Sequence, residues 1–319
     1  MCLKRFFLSV LGVLCALVFM TGPSAVPAES SLFTPSDKFD PSWLPLLHRL
    51  KKDNVYSTDV EHWFSTLPRP YSPVPMGAKI SHLFRMRFMQ PSFAFFRKPP
   101  TPQTLYDGVV NAENIRNCLN FLHEHAKLFQ QVEERYFVPK EVLAALLLVE
   151  SRLGSFVGKE NSLWTLACMA ASNQPEQIVE HMAKLPFTEG HLDWLRRALL
   201  VRSSWAYAEL KALIEYCRRY EHNPLEITGS VYGAIGLGQF MPSNITPYAV
   251  DGDNDGRIDL FSLPDALHSS ANFLKAHGWK KGTGREAGLK ALLRYNNSTA
   301  YANTILALAE GMLAAKKKA

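Results

Sequence analysis

Residues 139–154 read PKEVLAALLLVESRLG, and this stretch decides what kind of fold the chain builds. Pro139 suits the start of a helix, where its missing N–H costs nothing. Val142 to Val149 are then all apolar. A helix that is apolar on every side is buried on every side, so it needs other helices or a sheet around it. The flanking sequence offers helices. Ile115, Cys118, Leu119 and Leu122 follow the 3.6-residue period within Asn111 to Gln131, and Leu210, Leu213, Ile214 and Cys217 follow it within Glu209 to Tyr220. Two more helical segments, Leu289 to Tyr295 and Ala302 to Leu313, close the chain. No run of alternating strands competes with them, so the fold class is mainly α from about Thr104 onward.

Glu150 ends the apolar run, and Gly154 is a natural stop for the helix. A carboxylate at that place loses water and faces the negative end of the helix dipole. Both effects raise its pKa, so it can hold a proton near neutral pH and act as a general acid. The structural alternative is a Glu150 that turns to solvent or pairs with Arg152.

The composition of the 319 residues narrows the class without naming the chemistry. At 47% hydrophobic and 20% charged the chain can bury a core, which excludes a mainly disordered protein. A mean hydropathy of -0.08 excludes a polytopic membrane protein. The net charge of +6 suits an anionic polymer or surface, of which nucleic acid is only one.

Lys4 and Arg5 precede an apolar run from Phe6 to Met20, and small residues then lead to Val26-Pro27-Ala28. Residues 1–28 therefore read as a secretory signal, the alternative being an uncleaved anchor. Export to the periplasm or cell envelope follows. Cys15 is a poor lipidation site because bulky Leu14 precedes it, and Cys118, Cys168 and Cys217 are expected to be buried small hydrophobes rather than a disulfide framework.

Residues 29–103 form a proline-rich N-terminal arm ahead of the domain at 104–319. Eight of the twenty prolines fall between Pro68 and Pro102, too many for helices there. Phe84, Phe88, Phe93, Phe95 and Phe96 are interleaved with Arg85, Arg87, Arg97 and Lys98, which reads either as an aromatic-basic surface or, preferably, as an extended arm docked by its phenylalanines.

Two stretches carry further chemistry. Gly229 to Pro242 holds glycines at 229, 233, 236 and 238, which lets the backbone approach a ligand closely. Gln239 and Phe240 stand where a phosphate loop needs Lys and Ser/Thr. Ser230 and Gln239 can bond sugar hydroxyls or amides, and Tyr232, Phe240 and Met241 offer apolar faces, so carbohydrate suits this groove better than phosphate. Asp251-Gly252-Asp253-Asn254-Asp255-Gly256-Arg257 matches the start of a calcium loop, with Asp251, Asp253 and Asp255 as side-chain ligands and Arg257 as a carbonyl ligand. Ser262 occupies position 12, where an acid is usual, and Asp265 at position 15 is the candidate replacement. The alternative is a solvated acidic turn. His123 and His125 are two apart and point to different helix faces, Lys316 to Lys318 read as a solvated tail, and H-E-x-x-H and G-x-S-x-G are absent.

Taken together, Glu150-Ser151-Arg152-Leu153-Gly154, Gly229 through Ser243, the acidic loop, Ala276-His277-Gly278-Trp279 and Tyr295-Asn296-Asn297 resemble the lytic murein transglycosylase B family, in the same order over about residues 110 to 310. The resemblance implies a lysozyme-like α domain with an EF-hand-like calcium loop at 251–265. It implies Glu150 as the lone catalytic acid/base and Ser230, Gln239, Met241, Tyr295 and Asn296 as lining a glycan cleft. Arg202 corresponds to a cleft arginine, across a stretch from Ser172 to Leu200 that holds extra sequence. Asp265 matches an acid the family uses at position 15, and Ser262 departs from the pattern.

The implied reaction cleaves the bond between N-acetylmuramic acid and N-acetylglucosamine in peptidoglycan and closes a 1,6-anhydro ring without water. A structural Ca2+ ion is expected, with no organic cofactor and no nucleic-acid partner, in a chain acting as a monomer. The competing readings are a hydrolytic muramidase of the same fold and a non-catalytic, calcium-stabilised peptidoglycan-binding protein.

Overall fold

Helices account for nearly all the regular structure of residues 40–89 and 104–317, the part described by the computed structural model. The signal at 1–28, Cys15, the phenylalanines at 93, 95 and 96 with Arg97 and Lys98, and Lys318 lie outside these residues. In chain order the α-helices are α1 (Leu44–Lys52), α2 (Thr58–Ser65), α3 (Val74–Phe88), α4 (Ala112–Glu124), α5 (Ala126–Tyr136), α6 (Lys140–Ser151), α7 (Ser162–Ala171), α8 (Val179–Met182), α9 (Leu192–Arg219), α10 (Ile245–Tyr248), α11 (Leu263–Ala276), α12 (Arg285–Tyr295) and α13 (Thr299–Lys316). The strands are β1 (Glu160–Asn161) and β2 (Thr228–Gly229), an antiparallel pair in which Glu160 faces Gly229. No helix among the described residues is long and apolar enough to cross a membrane.

Side-chain caps mark where several of these helices begin. Asn111, Asn161 and Ser298 each accept from the backbone N–H three residues on, at 2.8, 2.8 and 3.3 Å. Each such cap satisfies one of the donors a helix start leaves open. Helix α6 is apolar around its circumference and accordingly has Val142 through Leu148 buried on all sides.

Two cores divide the helices. In the first, Leu47 of α1, Ile80 and Phe84 of α3, Leu166 of α7 and Leu210 of α9 pack together. In the second, α6 is surrounded by Leu122, Phe129, Leu274, Tyr301 and Ile305 from α4, α5, α11 and α13. The glycine-rich stretch runs along the seam. Ile235 and Phe240 belong to the first core, Leu237 packs on the second, and Tyr295 packs on both.

The expected extended conformation over Pro68 to Pro102 is corrected by α3, which runs through Val74 to Phe88. Pro73 is its N-cap and Pro75 lies in its first turn. Those positions need no N–H donor, so the prolines open the helix instead of breaking it. Docking through Phe84 is found, since that ring is fully buried, but α1–α3 share the first core with α7 and α9 rather than lying outside it. Helix α9 also starts well before Glu209. Its buried residues Leu195, Leu199, Ser203, Ala206 and Leu210 keep a helical spacing that intervening arginines and serines conceal in the sequence. Cys118, Cys168 and Cys217 are buried free thiols. Lys316 is no solvated tail: its Nζ pairs with the buried Glu141 of α6 at 2.7 Å, tying the end of α13 to the start of α6.

Candidate active site

Helix α6 stops one residue after Glu150, and the way it stops presents the carboxylate. Arg152, Leu153 and Gly154 all take left-handed backbone angles, with φ of 51°, 58° and 88°. The N–H groups of Arg152 and Leu153 return to Leu148 and Leu147 oxygens at 3.0 Å each. This closes the last turn and sends the chain away from the axis, two residues before the expected stop at Gly154. Two non-glycine residues in that conformation cost about 1–2 kcal/mol each, so the surrounding packing must hold them there.

Glu150 does not pair with Arg152, whose guanidinium lies 5.8 Å from the centre of the Phe156 ring. Its partner is Tyr301 in the first turn of α13, whose hydroxyl donates to Oε1 at 2.5 Å. Burial pushes the Glu150 carboxyl up to about 7, and the Tyr301 hydrogen bond pulls it part of the way back. No neighbouring acid contributes to that shift. Tyr301 itself is held neutral, because burial and the Glu150 charge raise its pKa well above the usual phenol value. The site is thus one carboxyl group, poised near neutrality, with a fixed hydroxyl donor.

The glycine-rich stretch forms the facing wall. Ser230 N–H donates to the Ala234 oxygen at 2.8 Å, and Ile235 and Phe240 exchange two backbone bonds of 2.9 Å. Ser230 Oγ accepts from the Tyr232 and Ala234 N–H groups at 3.3 and 3.0 Å, so this hydroxyl shapes the turn without spending its own proton on these bonds. Gln239 donates to Val157 and Gly236 oxygens at 3.1 and 3.0 Å, which leaves its side-chain oxygen as an acceptor. Those bonds also tie the wall to the loop that follows Glu150.

Several glycines here stand where a side chain would collide, and two of them shape the site directly. A Cβ on Gly158, at φ +100°, would lie 1.9 Å from the Gly229 oxygen, and one on Gly238 would lie 2.9 Å from the Tyr295 hydroxyl. With Gly238 in place, Tyr295 donates to its carbonyl oxygen at 2.6 Å and stands 3.3 Å from Ser270 Oγ. The Tyr295 ring lies nearly parallel to that of Tyr301, at 14° with centroids 6.5 Å apart. Asn296 is exposed just beyond, and Met241 is half-buried at the end of the wall.

Two contributors were not legible in the sequence. Tyr301 lies 151 residues from Glu150, and no local pattern marks it. Glu209 of α9 is buried and accepts from both the N–H and the hydroxyl of Ser243 at 2.8 Å, which anchors the end of the wall after Met241. Arg202 lies on α9 and is half-buried. Its charge is felt by Lys79 of α3, whose ammonium lies 3.9 Å from the centre of the Tyr232 ring.

The acidic loop gathers Asp251, Asp253 and Asp265, with one carboxylate oxygen of each within 4.8 Å of the others. Asp265 is buried and takes N–H bonds from Gly252 and Asp259 at 2.7 and 2.6 Å. Burial above all, and then the charges of Asp253 and Asp251, raise its pKa. Asp255 stands outside that trio and accepts from the Arg257 N–H at 2.8 Å, while the Arg257 guanidinium reaches the Tyr220 oxygen at 2.6 Å. Ser262 caps α11 by accepting from the Asp265 N–H at 3.4 Å. Converging carboxylates with no cationic side chain among them fit a hard divalent cation, which prefers oxygen ligands.

Residues 40–291 match the family described as the transglycosylase SLT domain. A curated relative, membrane-bound lytic murein transglycosylase B of Escherichia coli, is 32% identical over 173 residues, which are 54% of this chain and 41% of the relative. The chain therefore spans less than half the length of that relative. Among solved structures, soluble lytic transglycosylase SltB1 of Pseudomonas aeruginosa is 20% identical with a TM-score of 0.65, covering 88% of this chain and 100% of the other. The calcium complex of Escherichia coli Slt35 is 21% identical with a TM-score of 0.61, covering 87% and 94%. SltB3 of Pseudomonas aeruginosa with NAG-NAM-pentapeptide is 20% identical with a TM-score of 0.63, covering 86% and 80%. At these identities the structures establish a common fold.

Proposed function

The chain belongs to the transglycosylase SLT domain family, and from that premise we propose that it is a peptidoglycan lytic transglycosylase with Glu150 as its single acid and base. One observation carries the reading: a lone carboxyl group raised to about 7 at the seam of the two cores, with a tyrosine as its donor and no second acid acting on it. A general acid works best when its pKa lies near the working pH.

Protonated Glu150 gives its proton to the oxygen leaving C1 of N-acetylmuramic acid as the C1–O bond breaks. With no protein carboxylate to trap C1, the sugar's own N-acetyl oxygen bonds to it, a recognised exception to two-carboxylate glycosidases. The 6-hydroxyl then displaces that oxygen at C1 and returns its proton to ionised Glu150. The products are one free 4-hydroxyl and one 1,6-anhydro ring. Holding the 6-hydroxyl beside C1 is a proximity effect, and Ser230, Gln239, Met241, Tyr295 and Asn296 are the residues proposed to hold the glycan. Donor capacity at Ser230 and acceptor capacity at Gln239 support this.

Asp251, Asp253 and Asp265, joined by Asp255 and the Arg257 carbonyl, are proposed to hold Ca2+. Bound there, the ion would neutralise the loop's carboxylates and fix its fold. Slt35 has been solved with calcium, which supports this assignment. Export by a leader at 1–28 to the periplasm is proposed on the sequence pattern, with peptidoglycan strands as the partner.

Mass spectrometry of digested murein tests the function. Anhydro-ended muropeptides, one water lighter than reducing ones, are the expected main product. Reducing ends as the main product would make the enzyme a hydrolase, and no digestion would leave only the binding protein.

A further inference from the structure

Helices α3 and α9 enclose a groove of about 480 Å³. Its lining joins two chemistries. Leu83, Met86 and Trp194 give apolar surface, and Arg87, Arg197 and Arg202 give charge. No acidic side chain among the described residues lines it. Asp193, next to Trp194, is engaged with Arg196 at 3.4 Å. Lys79 lies one helical turn before Leu83 on α3, half-buried against the Tyr232 ring.

Burial lowers the Lys79 pKa, and the like charge of Arg202 lowers it further. Four cations thus gather, Lys79 and Arg202 half-buried and Arg87 and Arg197 exposed, with no acid lining the groove among the described residues. Lys79, which has the Tyr232 ring but no carboxylate beside it, and Arg202 are partly desolvated without an anionic partner, which is costly, and with two exposed arginines next to them they make a candidate binding site for an anion. Tyr232 belongs to the glycine-rich wall, two residues from Ser230. The groove therefore adjoins the glycan wall and does not stand on a remote face.

We propose that this groove takes the carboxylates of the peptide stem carried by the glycan, an inference that rests on the peptidoglycan reading above. Guanidinium groups bind carboxylates through paired hydrogen bonds. The apolar wall of Leu83, Met86 and Trp194 suits the aliphatic side chains of a short peptide laid between those charges. An anionic lipid surface is a poorer fit: the cationic groups line a concave groove, and half-buried Lys79 and Arg202 are less accessible to a flat layer of headgroups. Arg202 is thereby assigned a stem carboxylate rather than the reacting sugar.

Calorimetry in the Glu150→Gln background tests this, with NAG-NAM disaccharide and NAG-NAM-pentapeptide as ligands at low and high salt. The expected result is an affinity about tenfold higher for the stem-bearing ligand, a difference that two charge-assisted contacts can supply and that salt reduces. Adding Lys79→Met and Arg197→Gln should remove that advantage and leave disaccharide affinity unchanged, which also serves as the folding control. If the double change weakens both ligands through loss of fold, Arg87→Gln at the exposed rim reads the same advantage. Persistence of the advantage in these variants, or its absence in Glu150→Gln alone, overturns the stem subsite while the glycan reading stands. Binding of neither ligand overturns both. Sedimentation with phosphatidylglycerol vesicles that is lost in the variants, without any stem preference, would transfer the groove to the membrane.

Discussion

Replacing Glu150 with Gln should kill the enzyme and stabilise the protein, and the second effect can be worked from the structure. Burial moves the carboxyl from 4.5 to about 7 in the folded state. Below pH 4.5 both folded and unfolded chains carry the proton, and the ionisation term is absent. Between 4.5 and 7 the unfolded chain releases its proton while the folded chain keeps it, so stability falls as pH rises. Above 7 the loss is complete. At 1.36 kcal/mol per pKa unit, a shift of about 2.5 units gives about 3 kcal/mol. Gln has no proton to lose, so it lacks this pH dependence.

Urea unfolding of both proteins from pH 4 to 9 is the assay. The stability of Glu150→Gln relative to wild type should climb by about 3 kcal/mol between pH 4.5 and 7 and then level off. In the same protein, murein cleavage should drop at least ~10²-fold. A stability difference that does not change with pH would refute the account of a buried, proton-holding Glu150. Near-normal turnover would refute its role as the acid.

Tyr301→Phe removes the hydroxyl that favours the ionised form, so the Glu150 pKa should rise above about 7; the alkaline limb of kcat/KM should move up, and an unmoved limb would deny the contact a role. Calcium at a hundredfold excess over Kd should stabilise wild type by about 2.7 kcal/mol, raising Tm by several degrees. Asp251→Ala should abolish that response, and identical melting of metal-stripped wild type with calcium and with chelator would reduce the loop to an acidic turn. Gly158→Ala forces a Cβ into the Gly229 oxygen from a left-handed backbone and should cost at least about 2 kcal/mol in denaturant unfolding; a loss under 0.5 kcal/mol would show that the β1–β2 contact yields.

What the sequence alone determined is whatever depends on neighbours within a few residues. The helix around Val142 to Val149, the position of Glu150 at its end, the alternating acids of the loop and the unusual glycine density all follow from local period, dipole and spacing. The helical class follows as well, since an all-apolar helix demands helical or sheet neighbours and only helical periods were present. Local reasoning failed where proline count stood in for proline position: Pro73 and Pro75 open α3. Tertiary packing alone decided the rest. Tyr301 meets Glu150 across 151 residues, Tyr295 meets Gly238 across 57 and Glu209 meets Ser243 across 34, through contacts that exist only once the two cores have formed. The same packing set Arg202 beside Lys79 and brought Asp265 to Asp251 and Asp253. A side chain's chemistry is written in its identity, but its pKa and its partner depend on the desolvation and the neighbours that folding brings.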